Sequence, residues 1–168
     1  PEMPVVTKKY KLCKNCVMTN YNINNKNQPE TFASGDGVFL STNNGTNWIA
    51  ANTGLTTTSV LALAVSGTNL IAGTEGGGAF LSTNNGTSWT ATGLTNLQVQ
   101  AVAISGTNLF AGTEGGGVFL STNNGTSWTT TGLTGPDVCA LAISGTNLFA
   151  GTWSHGILRR PIVVRDDH

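Results

Sequence analysis

Few side chains in this sequence could do chemistry, and most of them recur at one place in a repeat. Asp36, Glu75 and Glu114 sit in corresponding Gly-rich connections. Trp153 takes that place in the last copy, where GTWSHG replaces GTEGGG and brings His155 beside it. Carboxylates gathered from successive copies would hold a cation or accept hydrogen bonds from sugar hydroxyls, and an indole among them would stack on the apolar face of a sugar ring. The competing reading is a solvated turn multiplied by duplication, with the last copy different because a terminal repeat packs against something else. Both readings put the five residues on one face.

Catalytic arrangements find little support. A Ser/His/Asp relay has only His155 and His168 to draw on, with no G-x-S-x-G elbow. Glu75 and Glu114 could pair as in glycoside hydrolysis, but copies of one turn share one environment, whereas acid and base roles need different ones. Cys13 and Cys16 form a C-x-x-C pair for which Cys139 and His155 are the obvious further zinc ligands. Cys139 stands on an inner strand where its siblings are Leu61 and Gln100, which predicts a buried thiol. The expectation is no metal and no cofactor, with Cys13 and Cys16 bridged locally or free.

Composition narrows the partners. Eight Lys and Arg balance eight Asp and Glu over 168 residues. Without net charge, no long-range field steers the chain to nucleic acid or an anionic membrane. No apolar run reaches the ~18 residues of a membrane helix, so neither nucleic-acid binding nor membrane insertion is expected. Charged residues are 10% of the chain, against about 25% in an average soluble domain. Every Lys lies at or before Lys26 and every Arg at or after Arg159, so the middle of the chain takes its polarity from Thr, Asn and Ser. That composition suits an extracellular or cell-surface bacterial protein.

The elements that must position these residues belong to a near-verbatim repeat. SGTNLIAGTEGGGAFLSTNNGTSW, from Ser66 to Trp89, returns 39 residues later from Ser105 to Trp128. A third copy starts at Ser144, and GVFLSTNNGTNW at Gly37 to Trp48 belongs to an earlier one. Short apolar runs alternate with Gly, Asn and Thr clusters, so each copy reads as four strands. Strand A is Val60 to Val65 and its equivalents, B is Leu70 to Thr74, C is Ala79 to Ser82, and D begins at Trp89. Apolar residues on both faces of strand A mean it is covered on both sides. Helical periodicity is absent.

The C-to-D turn, S-T-N-N-G-T-x-W, occurs at Ser41 to Trp48, Ser82 to Trp89 and Ser121 to Trp128. It resembles the Asp-box, S-x-D-x-G-x-x-W, of bacterial sialidases, sortilin-type receptors and photosystem II assembly factors, with Asn43, Asn84 and Asn123 in place of the usual Asp. The residues support a structural role: the Asn caps its own turn, Gly45, Gly86 and Gly125 supply positive φ, and Trp48, Trp89 and Trp128 fill space beside the hairpin. The resemblance implies a β-propeller of four-stranded blades, whose period near 40 residues this repeat matches. A parallel β-helix is the competing architecture. The arginine triad and Tyr nucleophile of sialidases do not carry over, because Arg159, Arg160 and Arg165 lie at one end of the chain and Tyr10 and Tyr21 near the other.

Strand counting predicts how the ring closes. The last copy supplies A, B and C but no box and no D. At the other end, VVTKKYKL from Val5 to Leu12 puts Lys9 and Lys11 on one face, as at a sheet edge. The expectation is one all-β domain over 1–168, a four-bladed propeller in which 1–15 is a closing strand that completes the last blade. The blades would then be 16–54, 55–94, 95–134 and 135–165. A partial propeller completed by oligomerisation is the alternative to this monomer. The expected function is non-catalytic: a binding, adhesion or scaffold module recognising glycan or protein on its loop face. A glycosidase-like enzyme is the second class, and nearly identical copies also fit an amplified or engineered propeller with no evolved ligand.

Overall fold

The computed structural model describes residues 9–12 and 37–162, and every regular element among them is a strand. β1 (Lys9–Leu12), β2 (Val38–Ser41) and β3 (Ile49–Ala50) form a first sheet, in that order. The second sheet is β4 (Val60–Ser66), β5 (Asn69–Thr74), β6 (Gly78–Ser82) and β7 (Thr90–Ala91). The third repeats it as β8 (Val99–Ser105), β9 (Asn108–Thr113), β10 (Gly117–Ser121) and β11 (Thr129–Thr130). The fourth holds β12 (Val138–Ser144), β13 (Asn147–Thr152) and β14 (Gly156–Pro161), so the last copy indeed shows A, B and C without a D among the described residues. Strands A, B and C lie within a residue of their expected positions. Strand D is a two-residue stub that starts after the Trp.

All pairings are antiparallel meanders. Ser66 pairs with Asn69 across a two-residue turn in which Gly67 takes a φ of 61°, the positive value a primed hairpin turn needs at its first central residue. Each first strand carries a register shift near its start, between Val60 and Ala62 in the second sheet and at the same place in the third and fourth. Such a bulge adds local twist.

Successive sheets stack through these first strands, β4 beside β8 and β8 beside β12. Ala62 and Ala64 turn toward the third sheet and pack on Val99, Val102 and Leu109. One repeat later Ala103 meets Leu141 and Ile143 of the fourth sheet. Small residues on one face and branched ones on the other let neighbouring sheets approach closely. The approach is tightest at two glycines of the second strands: a Cβ on Gly73 would lie 2.7 Å from Val99 Cγ1, and one on Gly112 would lie 2.6 Å from Val138 Cγ1. Val60, Val99 and Val138 are all completely buried there.

The N-terminal strand corrects the closure scheme. Lys9–Leu12 pairs with Val38–Ser41 of the first sheet, Lys9 opposite Ser41 and Leu12 opposite Val38, and not with the fourth sheet. It takes the place that β5 holds beside β6. Among the described residues β1 stands at the end of its sheet, the kind of place the Lys-bearing pattern expects. An edge strand offers the same backbone ladder to any free edge, however, so the pattern could not say which one. No strand pairing joins the first and fourth sheets among the described residues. Residues 16–36 of the expected first blade lie outside the described residues.

The consequence is visible in β12. Its Ala140 and Ala142 are exposed, whereas Ala101 and Ala103 at those positions of β8 are buried by the next sheet. Cys139 is likewise an exposed free thiol and not the buried one expected; among the described residues no further sheet follows the fourth.

Candidate functional site

The three box hairpins share one hydrogen-bond pattern. Ser82 is buried, and its Oγ accepts from the backbone N–H of Gly86 at 2.9 Å while donating to Asn84 Oδ1 at 2.9 Å. Asn84 Oδ1 in turn accepts from the N–H of Ser88 at 3.0 Å. Ser41, Asn43 and Gly45 repeat the arrangement, as do Ser121, Asn123 and Gly125. Gly45, Gly86 and Gly125 have φ between 78° and 88°, and the preceding Asn44, Asn85 and Asn124 are left-handed too. Asn tolerates that region better than other side chains do, which explains the N-N-G run.

The indoles are less alike. Trp89 is 4% exposed, and its Nε1 donates to the carbonyl of Ala51 at 2.7 Å. Trp48 and Trp128 are half-buried, and the buried Nε1 of Trp128 has no hydrogen-bond partner among the described residues. The connections that follow the boxes differ in length: four residues, Ile49 to Asn52, separate the first Trp from the following TGL, and two, Thr90 and Ala91, separate the second. Ala51 and Thr92 hold the same place in their sheets, the N–H of Ala51 donating to Val38 O and that of Thr92 to Ala79 O, so the two connections diverge after that position.

The opposite ends of the strands carry the residues expected to bind. Thr74, Glu75 and Gly76 to Gly78 form the turn from β5 to β6, closed by Thr74 Oγ1 donating to the Gly78 carbonyl at 2.8 Å. Thr113 and Thr152 close the next two turns in the same way, at 3.2 and 2.9 Å. The turns are tied to the connections leading into the first strands. The N–H of Glu75 donates to Ser59 O, that of Glu114 to Gln98 O, and that of Trp153 to Asp137 O. Glu75, Glu114 and Trp153 therefore occupy one equivalent position on three consecutive sheets, all exposed. Asp36 lies outside the described residues, and with the sheets unclosed the structure gives a row of such positions and not a ring.

Local bonds occupy both carboxylates. Glu75 Oε2 accepts from Ser59 Oγ at 2.7 Å, and Glu114 Oε2 from Gln100 Nε2 at 3.2 Å. Asp137, which the sequence reading passed over, accepts from the N–H of Gly115 at 2.6 Å and so ties the third sheet's turn to the entry of β12. A lone Asp preceding an inner strand was the only signal for it. No group of three or more His, Cys, Asp or Glu capable of holding a metal occurs among the described residues. Cys13 and Cys16 lie outside them.

The last turn differs in shape as well as in sequence. Gly76 and Gly115 take φ of 80° and 71°, whereas Ser154 at their position keeps a negative φ. The backbone N–H of His155 donates to Thr152 Oγ1 at 3.0 Å, and Ser154 Oγ and His155 Nδ1 share a hydrogen bond of 2.8 Å. Beside them Trp153 stands 76% exposed. The row thus ends in a solvent-facing indole flanked by a fixed hydroxyl and imidazole.

No family model and no curated protein matches the sequence. Solved structures do match. An ancestral GH74 enzyme superposes on 76% of this chain with 20% of its own, at 24% identity and a TM-score of 0.63. The computationally designed Ika8 protein covers 77% of the chain with 41% of its own, at 18% identity and a TM-score of 0.61. The GH74 xyloglucanase from Xanthomonas campestris covers 79% with 28%, at 13% identity and a TM-score of 0.58. The chain spans less than half the length of each, and at these identities the likeness extends to the fold alone. That fold is a repeat of β-propeller type, with stacked antiparallel sheets for blades.

Proposed function

We propose that this chain is a non-catalytic binding module that recognises a glycan on its loop face, outside the cell. The observation that carries the reading is Trp153: a large aromatic surface held open to solvent where the sibling blades place Glu75 and Glu114. Its flat face suits the apolar face of a sugar ring, and its Nε1–H adds a hydrogen-bond donor at the edge of that platform. The hydroxyl of Ser154, the imidazole of His155 and the carboxylate of Glu114 supply the polar contacts that orient such a ligand. Glu75 and Glu114 lie exposed on equivalent turns, and that sameness argues against the split of roles a glycosidase requires.

The test is calorimetric titration with a panel of neutral β-linked oligosaccharides, backed by a glycan array. Binding by the native chain that is lost in Trp153→Ala, with an unchanged thermal melt, supports the proposal. Absence of binding to every glycan, or binding indifferent to Trp153→Ala, overturns it. Binding to a protein but to no glycan reassigns the face to a protein partner.

A further inference from the structure

We infer that the groove between the third and fourth sheets binds an extended, acidic segment of another polypeptide through a tryptophan side chain. The two preceding junctions show what such a groove holds. Between the first and second sheets, Trp89 of the second box is buried in one cluster with Val38, Ala51, Leu70, Ala72 and Phe80. Between the second and third, Trp128 packs against the cluster of Ala79, Leu109 and Ala111, together with Phe119. The sequence after Leu158 carries no box. Arg160 stands opposite Leu148 where Ser82 stands opposite Leu70, and the count that reaches Trp89 from Ser82 reaches Asp167 from Arg160.

The walls of the groove are nevertheless repeated. A cavity of about 170 Å³ is lined by Val118, Thr131, Leu148, Ala150 and Leu158, the positions that Val38, Ala51, Leu70, Ala72 and Phe80 hold around Trp89. The pairings fix the match. The N–H of Thr131 donates to Val118 O as that of Ala51 does to Val38 O, and Ala150 lies opposite Leu158 as Ala72 lies opposite Phe80. Apolar cavities of about 150 Å³ stay dry and take up a benzene ring. The third box also covers Thr92 and Leu94, which are 8% and 5% exposed, whereas their equivalents Thr131 and Leu133 are only half-buried.

The edge beside the cavity selects a peptide. Thr129 and Thr130, directly after Trp128, pair with Leu120 and Phe119. Among the described residues β14 ends its sheet, so the backbone of Leu158 and Arg159, at those positions, is open to a strand that arrives with its own tryptophan. Strand addition draws affinity from the backbone ladder and specificity from a side-chain pocket. Arg160 sets the charge. Its Nη1 lies 2.6 Å from where a Cβ on Gly132 would be, whereas the equivalent Gly93 is met by the carbonyls of Thr126 and Gly125. Arg159 and Arg160 are exposed where the third sheet has Leu120 and Ser121, so residues entering ahead of the tryptophan are favoured when they carry carboxylates.

Calorimetric titration of the full chain with the synthetic peptide DDGTSWTTT tests the inference; the peptide copies the third box and its following strand, with aspartate for the two asparagines. Binding should vanish when the peptide's tryptophan is changed to alanine, and in Leu158→Trp, which fills the cavity from its own wall. Arg160→Gln, at an exposed site, should weaken binding by about threefold, as for one exposed ion pair. Trp153 does not line the cavity, so Trp153→Ala should bind as the native chain does. Thermal melts verify that each variant folds, and should Leu158→Trp not fold, the alanine peptide and Arg160→Gln decide. A native chain that does not bind, or binding indifferent to the peptide's tryptophan, overturns the inference. Binding abolished by Trp153→Ala overturns it by moving the peptide to the loop face, and equal binding of N-acetyltryptophanamide does so by making the cavity a site for a small aromatic ligand.

Discussion

The indole of Trp89 donates to the carbonyl of Ala51, 38 residues earlier in the chain, across the junction between the first and second sheets. That bond, and its absence at Trp128, sets apart two tryptophans that the repeat makes look equivalent. Trp89→Phe removes the donor and strands a buried carbonyl, while Trp128→Phe removes a donor that was already without a partner. Both lose similar bulk. Urea denaturation should therefore show Trp89→Phe to be the more damaging by about 1–3 kcal/mol, the usual cost of an unsatisfied buried group. Equal losses would mean that the bond contributes nothing net.

The box serine predicts a second asymmetry. Ser82 Oγ is buried and serves the N–H of Gly86, so Ser82→Ala leaves that N–H unpaired and should cost about 1–3 kcal/mol. Asn84→Asp keeps the acceptor that takes bonds from Ser82 Oγ and the Ser88 N–H, and gives it charge. Charge-assisted bonds are the stronger kind. The variant should gain about 1 kcal/mol at pH 7. Donors around the new carboxylate hold its folded pKa below the unfolded value near 4, so the gain is present above about pH 4 and disappears as pH falls. Melting temperatures of the variant and the native chain measured from pH 8 to 3 should therefore converge at the acid end.

The glycines at the junctions can be compared within one chain. Gly112→Ala forces a Cβ against Val138 and should destabilise by about 1–3 kcal/mol through overpacking. Gly151→Ala meets only Ala140 and should stay within about 0.5 kcal/mol. Similar losses at both positions would show that backbone effects, and not the neighbouring sheet, decide the outcome.

Much of the architecture could be read in advance, because its causes are local. The Ser-Gly-Thr-Asn turns, the alternation of Ala62 and Ala64 with larger neighbours, and the N-N-G box all act within a few residues, and their strands fall where the pattern puts them. The closure scheme failed because it was a long-range statement. Nothing in Lys9 to Leu12 distinguishes one free edge from another, so the partner of β1 could not be deduced. Burial of Cys139 was read from its inner-strand position, and it failed because that position leaves even its siblings Leu61 and Gln100 only half-buried. At the loop face the equivalence of Glu75, Glu114 and Trp153 was legible from the spacing. The bonds that occupy the carboxylates, and the role of Asp137, depend on how connections from different strands meet.

Cys139 turns that failure into a measurement. Its Sγ contacts the Gly151 carbonyl at 3.3 Å but is otherwise open to solvent. An exposed thiol reacts with iodoacetamide in the native state at a rate set by its thiolate fraction, whereas a buried one waits for unfolding. Peptide mass spectrometry, which separates Cys139 from Cys13 and Cys16, should find it alkylated within the time needed for a free thiol in the same buffer. A Cys139 that reacts only in denaturant would mean that this position is covered in solution, contrary to the exposure from which its reactivity is derived.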